Sequence, residues 1–209
     1  MPPSLTRRDR ERHETRTLIL DAARELFARD GYENVTMRAI AKRIDYTPTA
    51  IYHHFEDKEA LLTELCHVDF RSLAGVFLRT QGVEDPVERL RQIAAAYVEF
   101  AIEHPQQYRF LFLMEHPGKL EHPNKENPEK NAYGFVRQTV SECIASGRLR
   151  PEYRDPDQVA QMCWAACHGV IALHVNFEGD EWVNWQEPRE TARLTMDALI
   201  EGMLLQVPS

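Results

Sequence analysis

The sequence predicts an all-α fold of about nine helices. Apolar residues recur every three or four positions through most of the 209 residues, which is the period of an amphipathic helix. Runs of β-branched residues and alternating apolar and polar residues, which would indicate strands, are rare. Helix starts are also marked by a capping side chain followed by proline, as at Asp85-Pro86 and Asp155-Pro156. Together these observations favour a helical protein without a sheet.

Four helices are predicted in the N-terminal third of the chain. The apolar stripe of the first consists of Leu18, Ile19, Ala22, Ala23, Leu26 and Phe27. Gly31 follows this stripe and is a typical residue after a helix end. Thr36, Thr47 and Asp57 are predicted to cap the next three helices. These helices are expected at about residues 36–44, 47–55 and 57–79.

Five more helices are predicted in the remainder of the chain. Most of their starts follow the same pattern of a capping residue and proline, and two of them end at His104-Pro105 and at Gly147. They are expected at about residues 85–104, 105–115, 127–147, 155–177 and 187–206. Residues 116–126 are rich in proline, asparagine, glycine and charge, which indicates a loop.

Composition limits the class of protein. The formal net charge is −8, so the surface as a whole is not suited to non-specific nucleic-acid binding. The four cysteines have no disulfide-type spacing, and no apolar run is long enough to span a bilayer. The first 17 residues are polar and arginine-rich, unlike a signal peptide. We therefore expect a cytoplasmic protein with reduced thiols.

The most informative segment is a predicted pair of short helices over residues 36–55. An apolar inward face is formed by Ile40, Ala41, Ile44, Ile51 and Phe55, and the outward face carries Arg38, Lys42, Arg43, Thr49, His53 and His54. A short helix with small polar residues at its start can enter the DNA major groove. The segment is locally basic although the chain is acidic, and local charge supplies most phosphate affinity. Helical pairs of this kind also occur without any DNA-binding role.

The residue sequence of this segment resembles the DNA-binding domain of the TetR family of transcriptional regulators. The resemblance covers about residues 15–65 and is carried by residues 36–41 and 47–61, ending in Tyr52, Phe55, Lys58 and Leu61. Residues 19–27 with Gly31 and Tyr32 look like the first helix of that family. Asp45 stands where the family usually has a glycine in the turn, and aspartate can adopt the left-handed conformation needed there.

The resemblance implies a set of DNA-binding residues. Thr49 and His53 would contact base edges, whereas Tyr52 and His54 would contact the backbone. Lys58 resembles the lysine with which the family contacts phosphate, and Thr36 and Arg38 can reach phosphate or a base. The complete predicted set is Thr36, Arg38, Thr47, Pro48, Thr49, Tyr52, His53, His54 and Lys58.

The resemblance also implies the domain organisation. We expect a flexible arginine-rich arm over residues 1–14, a DNA-binding domain over 15–60 and a ligand-binding and dimerisation domain over 61–209. The helices at 155–177 and 188–206 carry more apolar residues than one buried face needs, which indicates homodimer formation. Leu199 and Met203 are predicted to lie in that interface. The family habit is repression relieved by a small-molecule effector.

The effector site is predicted among aromatic and soft apolar side chains. These residues are Tyr97, Phe100, Tyr108, Phe112, Met162, Trp164 and His168. His168 is the expected polar contact in a site for a small, mostly apolar molecule. For any one of these residues taken alone, ordinary core packing is the better interpretation.

The sequence also allows other functions to be considered. Cys163 and Cys167 are spaced i, i+4 and could serve a thiol or metal sensor, but buried small side chains are the simpler interpretation. A helical protein-interaction module would explain the C-terminal helices but not residues 36–55. The sequence contains no phosphate-binding loop, nucleophile elbow or zinc-protease motif, so we expect no enzyme, no cofactor and no metal site.

Overall fold

The structure, a computed structural model, describes residues 6–115 and 131–205. Within these ranges it contains nine α-helices and one π-helical turn, with an isolated β-bridge between Leu149 and Leu204 and no strand. The all-α prediction is thereby confirmed. The helices are α1 Arg7–Asp30, α2 Met37–Arg43, α3 Pro48–Tyr52, α4 Lys58–Leu78, α5 Pro86–Glu103, α6 Pro105–Tyr108, α7 Ala132–Ala145, α8 Pro156–Phe177 and α9 Pro188–Met203.

Side-chain caps begin most of these helices, as the sequence predicts. Thr36 and Thr47 accept the backbone N–H groups of Ala39 and Ala50 at 3.1 and 3.2 Å. Asp85 and Asp155 cap α5 and α8 in the same way. Each cap satisfies an N–H group that the helix itself leaves without a partner.

The start of α1 corrects the prediction of an arm over residues 1–14. Thr6 and Asp9 form a reciprocal capping box, with the side chain of each accepting the backbone N–H of the other at 3.2 Å. Arg7 and Glu11 form an ion pair one turn apart, with Nε and Oε1 separated by 2.8 Å. These local interactions continue the helix to Arg7, so residues 7–14 are helical. Residues 1–5 lie outside the described part.

The middle of the chain differs from the predicted pattern in one element. The single short helix expected at 105–115 is α6 followed by a π-helical turn over Arg109–Leu113. The expected loop at 116–126 and the helix start at Asn127-Pro128 lie outside the described residues. In the described part α7 begins at Ala132, where Asn131 accepts the N–H of Gly134.

The described residues form two compact units. The first contains residues up to Asp69 together with 106–115, and therefore holds α1–α3, the first half of α4 and the π-helical turn. The second contains Phe70–Pro105 and 131–205, including α5 and α7–α9. Helix α4 thus contributes residues to both units. None of the helices in the described ranges has both the length and the apolar character needed to cross a bilayer.

The first unit has an apolar interior with one buried ion pair. Its fully buried large side chains include Ile19, Phe27, Ile40, Ile51, Leu61, Leu65 and Phe110. The carboxylate of Asp69 is inaccessible to solvent and accepts from Nε and Nη2 of Arg24, both at 2.7 Å. The side-chain amide of Gln107 donates to the same carboxylate at 2.9 Å. This cluster joins α1, α4 and α6.

The second unit is built from four long helices. Helices α5, α7, α8 and α9 pack on one another around fully buried residues such as Val140, Val159, Ile171 and Ile200. Met203, predicted as an interface residue, lies in this core with 1% exposure because it continues the face of Met196 and Ile200. That part of the interface prediction is therefore wrong.

Candidate functional site

The first unit places α2 and α3 as a helix-turn-helix. Ile40, Ala41, Ile51 and Phe55 are buried as expected, whereas Ile44 is only partly buried. Asp45 has φ 58°, the left-handed conformation predicted for the turn, and the N–H of Tyr46 donates to the carbonyl of Ala41 at 2.9 Å. The turn therefore closes without glycine.

The beginning and outer side of α3 are polar and accessible. Pro48 occupies the first helical position and is half-buried, and the Thr47 cap leaves its own side chain exposed. Thr49, Tyr52 and His53 are exposed, with Tyr52 retaining 53% of its surface. His53 lies just beyond the end of α3, which is shorter than predicted. Thr36 and Arg38 at the start of α2 are exposed as well.

Lys58 is held inside the first unit. Its Nζ donates to the backbone carbonyls of Tyr32 and Val35 at 2.8 and 3.0 Å and lies 4.0 Å from the centroid of the Tyr32 ring. An ammonium has three N–H groups, so one remains for any further contact. The observed role of Lys58 is to join the start of α4 to the segment between α1 and α2.

His54 is less accessible than predicted. Its ring is half-buried, and its Nδ1 has no hydrogen-bond partner within the part of the chain that the structure describes. Burial lowers the pKa of His54, and the positive charges of Arg12 and Arg16 lower it further. The imidazole is therefore biased towards its neutral form.

Sequence reasoning missed Arg16 as a residue that positions the end of α3. Its Nη1 donates to the carbonyl of His54 at 2.9 Å, and its guanidinium lies 4.2 Å from the centroid of the Phe55 ring. Nη2 lies 3.6 Å from the carboxylate of Glu64 on α4. The only sequence signal for this role was position, because Arg16 falls one turn before the buried Ile19 and Leu20.

Three of the predicted effector residues meet in the second unit. Trp164 Nε1 donates to the hydroxyl of Tyr97 at 3.4 Å, and that hydroxyl lies 3.0 Å from Nδ1 of His168. The indole N–H can only donate, so the tyrosine hydroxyl accepts from Trp164, and the donor in its contact with His168 depends on the histidine tautomer. Burial lowers the pKa of His168, which favours a neutral imidazole.

The other predicted effector residues are distributed differently. Met162 is half-buried on α8, and Phe100 is buried on α5, with its ring 5.4 Å from that of His104. Tyr108 and Phe112 belong to the first unit, where their rings lie 5.4 Å apart. The structure thus brings together Tyr97, Trp164 and His168 and places the remaining residues elsewhere.

A surface cleft of about 260 Å³ in the second unit was not predicted. Its floor contains alanines with Val98, Cys167 and Met196, and charged residues of α5 and α9 form its rim. The rim charges pair with one another, as in Arg189–Glu99 at 2.7 Å. None of the seven predicted effector residues lines this cleft.

The cysteines offer no support for a thiol or metal sensor. Burial raises the pKa of Cys163 and of Cys167 to about 12, so both are protonated at neutral pH, whereas thiolates are the reactive and metal-binding form. The described residues contain no group of three or more histidine, cysteine or acidic side chains that could hold a metal ion.

Known transcriptional regulators are similar to this chain in sequence. The chain is 31% identical to the uncharacterized HTH-type transcriptional regulator YobS of Bacillus subtilis over 112 residues, 51% of this chain and 56% of that protein. It is 28% identical to the regulator AcrR of Shigella flexneri over 147 residues, 66% of this chain and 68% of that protein. The first of these alignments spans little more than half of the relative's length.

A solved structure supports the fold over most of the chain. The structure of AibR in complex with isovaleryl coenzyme A and operator DNA superposes with a TM-score of 0.67 at 22% identity, covering 90% of this chain and 97% of that one. Family models match at both ends of the chain. Residues 19–65 match the bacterial regulatory proteins of the tetR family, and residues 90–199 match the tetracyclin repressor-like C-terminal domain. Since the second match alone covers more than half of the chain, this protein belongs to the TetR family of bacterial regulatory proteins.

Proposed function

We propose that the protein is a DNA-binding transcriptional regulator, a repressor that a small, mostly apolar effector releases from its operator. The observation that carries this proposal is the helix-turn-helix with its exposed polar side chains on and beside α3. Thr49 and His53 would contact base edges, Tyr52 would contact the backbone, and Arg38 would reach phosphate or a base. Thr47 lies beside them at the start of α3. Thr36, Pro48, His54 and the remaining N–H of Lys58 would complete the contact surface.

The proposed working form is a homodimer in the cytoplasm. Helix α8 exposes Ala165, Gly169 and Leu173 along one side, and α9 exposes Leu194, Ala198 and Gly202 at the same spacing. Leu173 and Leu194 keep 51% and 54% of their surface in the isolated chain. Two helices with exposed leucines and small neighbours can pack closely against their copies, and a two-fold dimer would present two recognition helices to a palindrome.

The proposed effector site is the group of Tyr97, Trp164 and His168. Trp164 is 43% exposed and offers an aromatic surface, while the hydrogen-bonded Tyr97 and His168 offer polar contacts. AibR has been crystallised with an acyl coenzyme A and operator DNA, which shows that a relative in fold binds both. In the present protein an effector would act through α4, the helix that both units share, and only by its difference in affinity for the two states.

The proposal is tested in two steps. Wild-type protein is used to select duplexes from a random-sequence pool, and binding of the selected palindrome is measured by fluorescence anisotropy at several salt concentrations. A panel of hydrophobic metabolites is then screened by thermal shift and by release of that duplex, with Trp164→Ala as the matched variant. Failure to select any duplex would contradict DNA regulation, whereas stabilising compounds that leave duplex affinity unchanged would contradict effector control. The same proposal assigns the protein a role in binding DNA and an effector, and no catalytic activity.

A further inference from the structure

The N-terminal half of α1 extends beyond the core that holds the rest of the helix. All buried residues of α1 lie between Ile19 and Phe27, so residues 7–18 contain none. At 1.5 Å per residue this segment, which we call the α1 extension, is about 18 Å long. A helical segment of this length has little stability by itself in water. Core packing therefore does not account for the sequence of this segment.

One side of the α1 extension is lined with arginine. Arg8, Arg12 and Arg16 follow each other at intervals of four residues and so lie along one face. Arg16 fixes where that face points, because it contacts the carbonyl of His54 and the ring of Phe55 at the end of α3. Arg12 lies one turn further out on the same side, and its positive charge adds to the effect of burial in lowering the pKa of His54.

The two outer arginines have no intramolecular ion pair. Among the described residues, Arg7 pairs with Glu11 and Arg16 lies near Glu64, whereas Arg8 and Arg12 form no such pair. Three arginines spaced four residues apart repel one another, and positive charge near a helix N-terminus opposes the helix dipole. An external anion on this face would relieve both penalties.

We propose that Arg8 and Arg12 contact DNA phosphates beside the base pairs that α3 contacts. This inference rests on the proposed function and adds a second contact surface to it. The phosphate backbone is the favoured anion because the face continues directly from the end of α3, where the exposed His53 and Tyr52 lie. Such contacts would add affinity for DNA of any sequence and would make binding more dependent on salt.

The test uses the full-length protein and a duplex selected from a random-sequence pool by the wild type, with a scrambled duplex of equal length beside it. Arg12→Gln is compared with Arg10→Gln, which removes the same charge from nearly the opposite side of the helix, because two residues turn an α-helix by about 200°. Arg12→Lys keeps the charge. Circular dichroism and thermal unfolding verify that each variant is folded.

The expected result is a shallower dependence of log affinity on log salt for Arg12→Gln, by about 0.9 per lost contact. Between 50 and 200 mM salt the loss of affinity would then be smaller than in the wild type by a factor of about 3.5 for Arg12→Gln. For Arg8→Gln combined with Arg12→Gln it would be smaller by a factor of about 12. Arg10→Gln should keep the wild-type slope, and Arg12→Lys should restore it.

The outcomes separate this proposal from the proposed function. If the wild type selects and binds a duplex while Arg12→Gln keeps the wild-type slope, the α1 extension does not contact DNA and the function stands. Equal slope changes in Arg10→Gln and Arg12→Gln would show a general charge effect and would also overturn the proposal. If the wild type selects no duplex, the proposed function itself fails.

Discussion

Asp69, the acidic member of the buried ion pair in the first unit, should be a sensitive position outside the DNA-contacting surface. We predict that Asp69→Ala destabilises the protein by about 3–5 kcal/mol, the usual cost of leaving one partner of a buried pair uncompensated. This loss of stability lies in the upper part of the usual range for single substitutions, and the contacts of Asp69 explain why. Asp69 has no exposed surface and accepts three hydrogen bonds, two from Arg24 and one from Gln107.

The remaining environment of Arg24 cannot compensate for this loss. In the variant its side chain, only 11% exposed, would keep Asp21 as its remaining acidic partner, at 2.6 Å from Nη1. Asp21 itself is 58% exposed and its charge is screened by water. For a chain of this length we expect the melting temperature to fall by on the order of 10 °C.

Calorimetry of three variants checks the reasoning. Asp69→Ala is compared with Asp21→Ala, which removes only the exposed partner, and with the double replacement Arg24→Leu and Asp69→Leu. The double replacement should be less destabilising than Asp69→Ala because it leaves no unpaired charge in the interior. A loss below about 1 kcal/mol for Asp69→Ala, or equal losses for Asp69→Ala and Asp21→Ala, would refute the argument.

Three further predictions address recognition, assembly and pH. Thr49→Ala should cost about 1–3 kcal/mol at one base-pair position, measured on singly substituted operator duplexes, and a uniform loss at all positions would contradict base contact. Leu173→Glu with Leu194→Glu should give a folded monomer by light scattering, whereas a persisting dimer would place the interface elsewhere. Burial lowers the pKa of His168 below its ordinary value of 6.5. Neutral His168 therefore contributes to the stability of the folded protein above pH 6.5, and this contribution is lost as the pH falls through the pKa of the folded state. His168→Gln should therefore flatten the fall in melting temperature between pH 7 and 5, and an unchanged profile would argue against this assignment.

The helices were predictable because their starts and ends depend on local chemistry. Thr36, Thr47, Asp85 and Asp155 cap the helices that their neighbours in sequence form, and no distant contact is needed for that. The left-handed turn at Asp45 was predictable for the same reason. The early start of α1 also depends on local chemistry, namely the capping box of Thr6. It was not predicted because the high arginine content of this segment indicated a flexible arm.

The DNA-binding site was less predictable because several of its side chains contact residues that are distant in sequence. Nothing near Lys58 in sequence shows that its ammonium binds the carbonyls of Tyr32 and Val35. The contact between Arg16 and His54 spans 38 positions of sequence and is equally hidden. Periodicity placed Met203 on an apolar face, but it could not tell a core from an interface.

The single helix α1 has a mechanical consequence. Arg24, held by Asp69 in the interior, and Arg12 on the extension lie twelve residues apart, or about 18 Å along the helix axis. A tilt of about 6° at the Arg24 end would carry Arg12 through about 2 Å, which is enough to break a hydrogen bond. Because Arg16 also contacts His54 and Phe55, such a tilt would act on the end of α3 as well. A rearrangement around Gln107 would therefore displace the α1 extension and the end of α3 together.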